Sequence, residues 1–266
     1  MNIIQRITTS DKNVSDNKSN LQKISLDQLR INPIPNSKNE VWRLTNKSKF
    51  YRFLDFKYSN DFYAPDIPGY ASMQNICRII IGENKRIKLK EDKWEIRELK
   101  EEEILNFLQK KIIKADSTNN WCNLLNHFLT DNKNIIGLNI SGKEIPQLEI
   151  ICNSMNNFLN AKTLIINVEE DTSVSITQIN IGDKNSALST SSYFIIGKDA
   201  EVNHGIISYG KNKSHIINTL NVWQHKNSEY NLGSLQFEYD FGRLEISINQ
   251  VEGNAKTNIK GIQITK

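Results

Sequence analysis

The feature that most constrains this chain is a repeat between Asp171 and Ile264. Asp171-Thr172-Ser173-Val174, Asp199-Ala200-Glu201-Val202, Asn227-Ser228-Glu229-Tyr230 and Asn254-Ala255-Lys256-Thr257 each place Asp or Asn, a small residue, any residue and then a strand former. Their first residues are 28, 28 and 27 positions apart. Self-similarity at such a period marks a solenoid, in which each coil buries its apolar face against its neighbours. Counting from each turn residue, the third position holds Val174, Val202, Tyr230 and Thr257, and the fifth Ile176, His204, Leu232 and Ile259. The eighth holds Ile179, Ile207, Leu235 and Ile262, and the tenth Ile181, Tyr209, Phe237 and Ile264. Between them run the polar rows Ser173, Glu201, Glu229, Lys256 and Ser175, Asn203, Asn231, Asn258. Alternation of period two separates the apolar rows from the polar ones. The parity of the apolar set changes between the fifth and eighth positions, where Gly205, Gly233 and Gly261 lie. A bend or bulge there is expected to return the later side chains inward.

A second turn recurs half a coil later, at Gly182-Asp183-Lys184-Asn185 and Gly210-Lys211-Asn212-Lys213, with Leu188, Ile216 and Leu244 opening the next strand. Two strand faces and two turns per coil predict a mainly β fold, a parallel β-helix of about 28 residues per coil. The right hand is expected from the bias of parallel crossovers. About four coils at ~4.8 Å per layer give a prism roughly 19 Å tall. An ordinary β-sandwich with regular turns would not hold apolar identity in four columns.

At 266 residues the chain has room for one large domain or two ordinary ones. Its formal charge of +4, from 34 Lys and Arg against 30 Asp and Glu, is spread along the length and is too weak and diffuse to argue for nucleic acid, so no nucleic-acid partner is expected. Cys77, Cys122 and Cys152 are odd in number and form no CxxC, which favours a reducing compartment. The start lacks a signal-peptide core and no run reaches spanning length, so a cytoplasmic protein without a membrane partner is expected.

Taken in order, residues 1–24 read as a flexible arm, 25–130 as a small helical, α+β N-terminal domain and 131–266 as the parallel β-helix. A helix is expected from Ser25, boxed by Gln28 and ended by Pro33 and Pro35. Ser37 and Glu40 form a second box before Val41, Trp42 and Leu44. From Phe50 to Tyr70, with its Ala64-Pro65-Asp66 and Pro68-Gly69 signals, an irregular packed segment is expected. Cys77 to Ile81 and Trp94-Glu95-Ile96 read as short strands. Ile104, Leu105, Phe107, Leu108 and Ile112 share one helical face behind Glu101, Glu102 and Glu103. Trp121, Leu124, Leu125, Phe128 and Leu129 share another; strands resume at Ile135 to Ile140 and Leu148 to Cys152.

Pro35-Asn36-Ser37-Lys38-Asn39-Glu40-Val41-Trp42-Arg43-Leu44-Thr45 resembles the segment near the start of SufD proteins, P-[ST]-x-K-x-E-x-W-[KR]-Y-T. Asn36 stands for the usual hydroxyl residue, Ser37 for a common Arg and Leu44 for the usual Tyr, changes that touch packing and capping. The likeness extends through Phe128-Leu129-Thr130, Ile140-Ser141-Gly142-Lys143 and the repeats. It implies a non-catalytic scaffold of the SufBCD iron–sulfur cluster assembly complex. The implied partners are SufB, through paired β-helices, and the SufC ATPase, through a C-terminal helical domain. Iron or a cluster would meet the chain only at a complex interface, and ATP only through the partner. The sequence stops at Lys266 within the repeats, so the later coils, the SufC-binding helices and the late Cys/His cluster of the family have no counterpart. No functional residue is carried over. The reading expects a shortened or truncated SufD whose open end needs a cap.

No catalytic, cofactor-binding or metal-ligating residue is therefore expected. His204, in an inward row, is expected to be a neutral imidazole with one hydrogen-bond partner. His127, His215 and His225 show no ligand spacing. The three cysteines read as small core hydrophobes. No nucleophile elbow or phosphate loop occurs. Glu201 and Glu229, one coil apart, carry the alternative reading, a carbohydrate-active β-helix enzyme. Their expected structural role is a solvated ladder, beside an amide ladder of Asn203, Asn231 and Asn258.

Overall fold

In a computed structural model of the chain, the repeat region forms a parallel β-solenoid of about five turns with two faces. The structure describes residues 19–264 except 33, 37, 39, 66–75, 84–86 and 115–119, and only the backbone of 111–114. Expectations resting on residues 1–18, Pro33, Ser37, Asp66, Pro68-Gly69 and the Ile112 side chain lie outside the described residues.

One sheet has six strands in the order β14-β12-β10-β8-β6-β2. They are β2 (Ile76–Ile80), β6 (Gln147–Asn153), β8 (Ser173–Gly182), β10 (Glu201–Gly210), β12 (Glu229–Phe237) and β14 (Lys256–Ile264). The other has eight strands. Its path runs β13 (Phe241–Gln250), β11 (His215–Gln224), β9 (Ala187–Ile196), β7 (Phe158–Val168), β5 (Ile135–Gly142), β4 (Trp94–Glu98) and β3 (Lys88–Glu91), with β1 (Lys57–Tyr58) beside β7. Strands from before Asp131 therefore extend both sheets, and the solenoid has about one coil more than the expected four.

Every column named from the repeat is found in register. Val174, Val202, Tyr230 and Thr257 are successive Cα partners, as are Ile176, His204, Leu232 and Ile259. The turn residues explain the Asp/Asn preference: Asp171, Asp199, Asn227 and Asn254 all take φ of 55–66°. That left-handed region is tolerated best by residues whose short polar side chain bonds locally. At the opposite corner Asn157, Asn185, Lys213 and Glu238 do the same. One strand start differs from expectation. Ile216 pairs with Gly242, and Leu244 pairs with Asn218, because the turn before β13 is two residues shorter than its predecessors.

The larger correction concerns parity. No bulge interrupts β10 or β12, and Gly205 simply pairs with Gly233. Side chains keep alternating, so Ile206 and Ser208 follow Val202 and His204 inward and are buried. Ile207 and Tyr209 consequently face out, as do Ile179 and Ile181, which pack in a cluster separate from the main core. The pattern misled because polar Gln178, Asn180 and Ser208 occupy inward positions. Their groups are satisfied within the prism: Gln178 Nε2 donates to Asn180 Oδ1 at 3.0 Å, and Asn180 Nδ2 donates to Ser208 Oγ at 3.0 Å.

Four helices are described: α1 (Asn20–Ile31), α2 (Lys47–Asp55), α3 (Glu101–Lys114) and α4 (Trp121–Leu129). α1 begins before the expected Ser25. Ser19 and Gln22 form the capping box, and this start brings Leu21 onto the buried face with Leu26 and Leu29. α2 replaces the first part of the expected irregular segment, since Asn46 caps it and Phe50, Phe53 and Leu54 recur at helical spacing. In α4 all nine residues are buried. It lies between α1 and the outer face of the eight-stranded sheet, and so has no solvent side.

Candidate functional site

Chemistry-bearing side chains gather in three places: under α4, along the solenoid axis and on the outer face of the six-stranded sheet.

Under α4 the polar side chains of the helix meet those of the sheet. Asn126 Nδ2 donates to the Ser189 carbonyl at 3.0 Å, and Thr163 Oγ1 donates to Asn126 Oδ1 at 2.7 Å. Asn123 Oδ1 accepts from Ser191 Oγ at 3.1 Å and from Tyr193 Oη at 3.2 Å. His127 Nε2 lies 2.6 Å from that same Tyr193 hydroxyl, with the two rings stacked. Burial pushes the His127 imidazole down to about 3, so it is neutral. This network fixes the helix in one position on the strands, because a buried amide that slips loses its partners.

The Trp42 segment is a second fastening between the N-terminal part and the solenoid. Trp42 is buried, 4.8 Å from the Phe50 ring, with the Arg243 guanidinium 3.9 Å above its face. Arg243 also donates to Thr45 Oγ1 at 2.8 Å and to the Val41 carbonyl at 3.1 Å. Lys49 Nζ donates to the Asp240 carbonyl at 2.7 Å.

On the axis, His204 is buried between Ile176 and Leu232, its Nδ1 2.7 Å from the Tyr230 hydroxyl and its Nε2 unpartnered. It is the one-partner neutral imidazole that its column predicts, with burial pushing it down to about 3. Sequence reasoning missed Lys162, which shares its row with Thr190 and Asn218 and is 2 % exposed. Its ammonium donates to the Ile81 carbonyl at 2.9 Å and to Asn134 Oδ1. Burial lowers it from 10.5 to about 8. The only available signal was a Lys at an apolar alternation position between Asn160 and Leu164.

The folded pKa of Lys162 lies below the unfolded one, so the unfolded chain binds more protons between them and stability rises with pH there. Relative to Lys162→Met, the wild type is expected to gain about 2 kcal/mol from pH 8 to pH 10. Urea unfolding at the two pH values reads this; equal slopes would show a solvated ammonium.

The remaining candidates do not converge. His215 is buried between Phe56 and Phe241, and His225 Nδ1 lies 3.3 Å from Glu252 on the surface. Cys122 and Cys152 are buried, Cys77 is half-buried, and burial raises all three thiols, Cys152 to about 12. Among the described residues no three His, Cys, Asp or Glu side chains are placed to hold a metal ion. No described helix is long and apolar enough to cross a membrane.

On the outer face of the six-stranded sheet, Glu201 and Glu229 are register partners. Each accepts from a neighbouring amide, Asn203 and Asn231, at 3.1 Å. The amide ladder is present: Asn231 Nδ2 donates to Asn203 Oδ1 at 3.1 Å, and Asn258 Nδ2 donates to Asn231 Oδ1 at 2.7 Å.

A parallel solenoid with helices fastened to one face and a patterned, open second face belongs to the class of repeat proteins that present extended surfaces to other molecules. Residues 150–266 match the family described as SUF system FeS cluster assembly, SufBD core domain. This match supports membership of the SufB/SufD family and a role in iron–sulfur cluster assembly in the SUF system; it does not separate SufD from SufB. No curated protein and no solved structure matches the chain.

Proposed function

We propose that this chain is a SufD-type, non-catalytic scaffold subunit that pairs with SufB and works with the SufC ATPase in the cytoplasm. The observation that supports it most is the core-domain match across the solenoid. The Trp42 segment, which resembles the start of SufD proteins, adds to it by being the piece clamped onto β13 through Arg243.

The physical contribution of such a subunit is rigidity. Backbone ladders continuous over six layers, with the inward Gln178, Asn180 and Ser208 hydrogen-bonded to one another, hold one surface fixed while partners move. The iron–sulfur cluster is cargo in this reading, assembled at an interface with a partner, and ATP turnover belongs to SufC.

Co-expression of tagged chain with untagged SufB and SufC tests the proposal. Stoichiometric recovery of SufB is the expected result, with SufC recovered alongside. A chain that elutes free of both would overturn it.

A further inference from the structure

At neutral pH the surroundings of His215 are in conflict. Its side chain is fully buried, with the ring 5.4 Å from Phe56 and 6.2 Å from Phe241. Nδ1 lies 3.2 Å from the Lys213 carbonyl. A carbonyl only accepts, so in the neutral ring Nδ1 carries the proton and Nε2 presents a lone pair. That lone pair faces the Asp240 carboxylate, with Oδ2 at 3.6 Å, and Nε2 has no hydrogen-bond partner among the described residues. Two acceptors are held toward each other in a place that water does not reach.

What holds the carboxylate there is α2. Lys49 Nζ lies 3.1 Å from Asp240 Oδ1 and donates to the Asp240 carbonyl at 2.7 Å, and Arg52 lies 3.8 Å from Oδ2. Both cations are open to solvent, Lys49 by 39 % and Arg52 by 64 %. Asp240 N donates to the Ser214 carbonyl at 2.9 Å, so the backbone of the corner is fixed and the carboxylate is the part that turns.

Burial has the largest effect on the ring and lowers it; Asp240 raises it, as does the Lys213 carbonyl, and Arg52 and Lys49 lower it. Asp55 and Lys57, which flank Phe56, are exposed, and on β13 Arg243 donates to Glu245 at 2.6 Å. Ala187 and Leu159, below His215 in its column, carry no charge. The imidazole is therefore neutral at pH 7.

We propose that His215 and Asp240 form a proton-operated latch on α2. When the ring takes a proton, Nε2–H donates to Asp240 and the carboxylate lets go of Lys49 and Arg52. Exposure decides the contest: an imidazolium with no water around it needs the anion, whereas the two exposed cations return to solvent at little cost. α2 keeps the Lys49 bond to the Asp240 carbonyl and the Phe50 contact with Phe241, and loses its ion pairs to the solenoid. The folded ring lies below the ordinary 6.5, so the hold on α2 is complete above that value and is lost as pH falls. This opening is local, and precedes the unfolding driven by His127 and His204.

NMR of the full chain is the experiment. Long-range proton–nitrogen spectra at pH 7.5 should place the His215 proton on Nδ1. Amide exchange of Phe50, Phe53 and Leu54, corrected for its intrinsic rate, should quicken about tenfold from pH 7.5 to pH 5.5, with Phe194 of β9 lagging behind. In His215→Phe, which repeats the Phe241 of its column, α2 should lose that dependence. Asp240→Asn, which deprives the imidazolium of its anion, should move the His215 titration to lower pH. An Nε2–H tautomer at pH 7.5 would overturn the latch. So would α2 and β9 opening in step, a pH dependence that survives in His215→Phe, or a titration indifferent to Asp240→Asn. Should a variant fail to fold, the tautomer and the order of opening in the wild type decide.

Discussion

Tyr230→Ala is expected to lose about 3–5 kcal/mol of stability, the cost of emptying an aromatic site in a core that cannot collapse around it. Tyr230 is fully buried and among the largest enclosed side chains. It sits between Val202 and Thr257 in its column, so layers above and below hold the space open. Its ring lies 6.0 Å from Phe194, and its hydroxyl is the one partner of the His204 ring. Tyr230→Phe keeps the ring and loses the hydrogen bond, for about 1 kcal/mol. Denaturant unfolding of the pair separates volume from polarity. An alanine variant within about 1 kcal/mol of wild type would mean that the layers relax inward, which ladders held from both sides oppose.

The second large effect is acid instability. His127 and His204 have folded pKa values of about 3 against 6.5 for the exposed ring. Burial disfavours the charged form in the native state, so between those values the unfolded chain binds more protons. The stability is fully present above pH 6.5 and is lost as pH falls toward 3. At pH 5 each imidazole costs about 2 kcal/mol, and the two together about 4 kcal/mol. His215, also lowered by burial, adds in the same direction. In His204→Leu, which matches the Leu232 and Ile176 of its column, the loss from pH 7 to pH 5 should shrink by about 2 kcal/mol. Carboxylate contributions cancel in that difference. An unchanged slope would mean that the ring protonates inside the native prism.

The two effects share an origin in layered burial, and they act on different parts of the ladder. Tyr230 supports the upper coils, whereas His127 lies at the join between α4 and the eight-stranded sheet. Loss of the first loosens the solenoid itself. Protonation of the second frees the helical cover.

The repeat was legible because each Asp or Asn turn forces the same left-handed geometry, and because in-register stacking demands like side chains at like positions. The period and the columns of Val202, His204 and Ile207 could thus be read without coordinates. The direction in which each column faces could not. Ile207 and Leu235 look like core, and Gln178 and Asn180 look like surface, because periodicity records alternation and not which face is inside. Lys162 was equally hidden, since its partners Ile81 and Asn134 come from distant parts of the chain.

The sequence by itself determined the coil length of about 28 residues, the Asp/Asn corners and the register of the six-stranded face, all of which are local conformational preferences repeated. Only the tertiary structure decided which rows enclose the axis, that α4 is buried on every side, and that the strands before Asp131 complete the lower layers. Those depend on what each face finds opposite it, and that is a property of contacts between segments far apart in the chain.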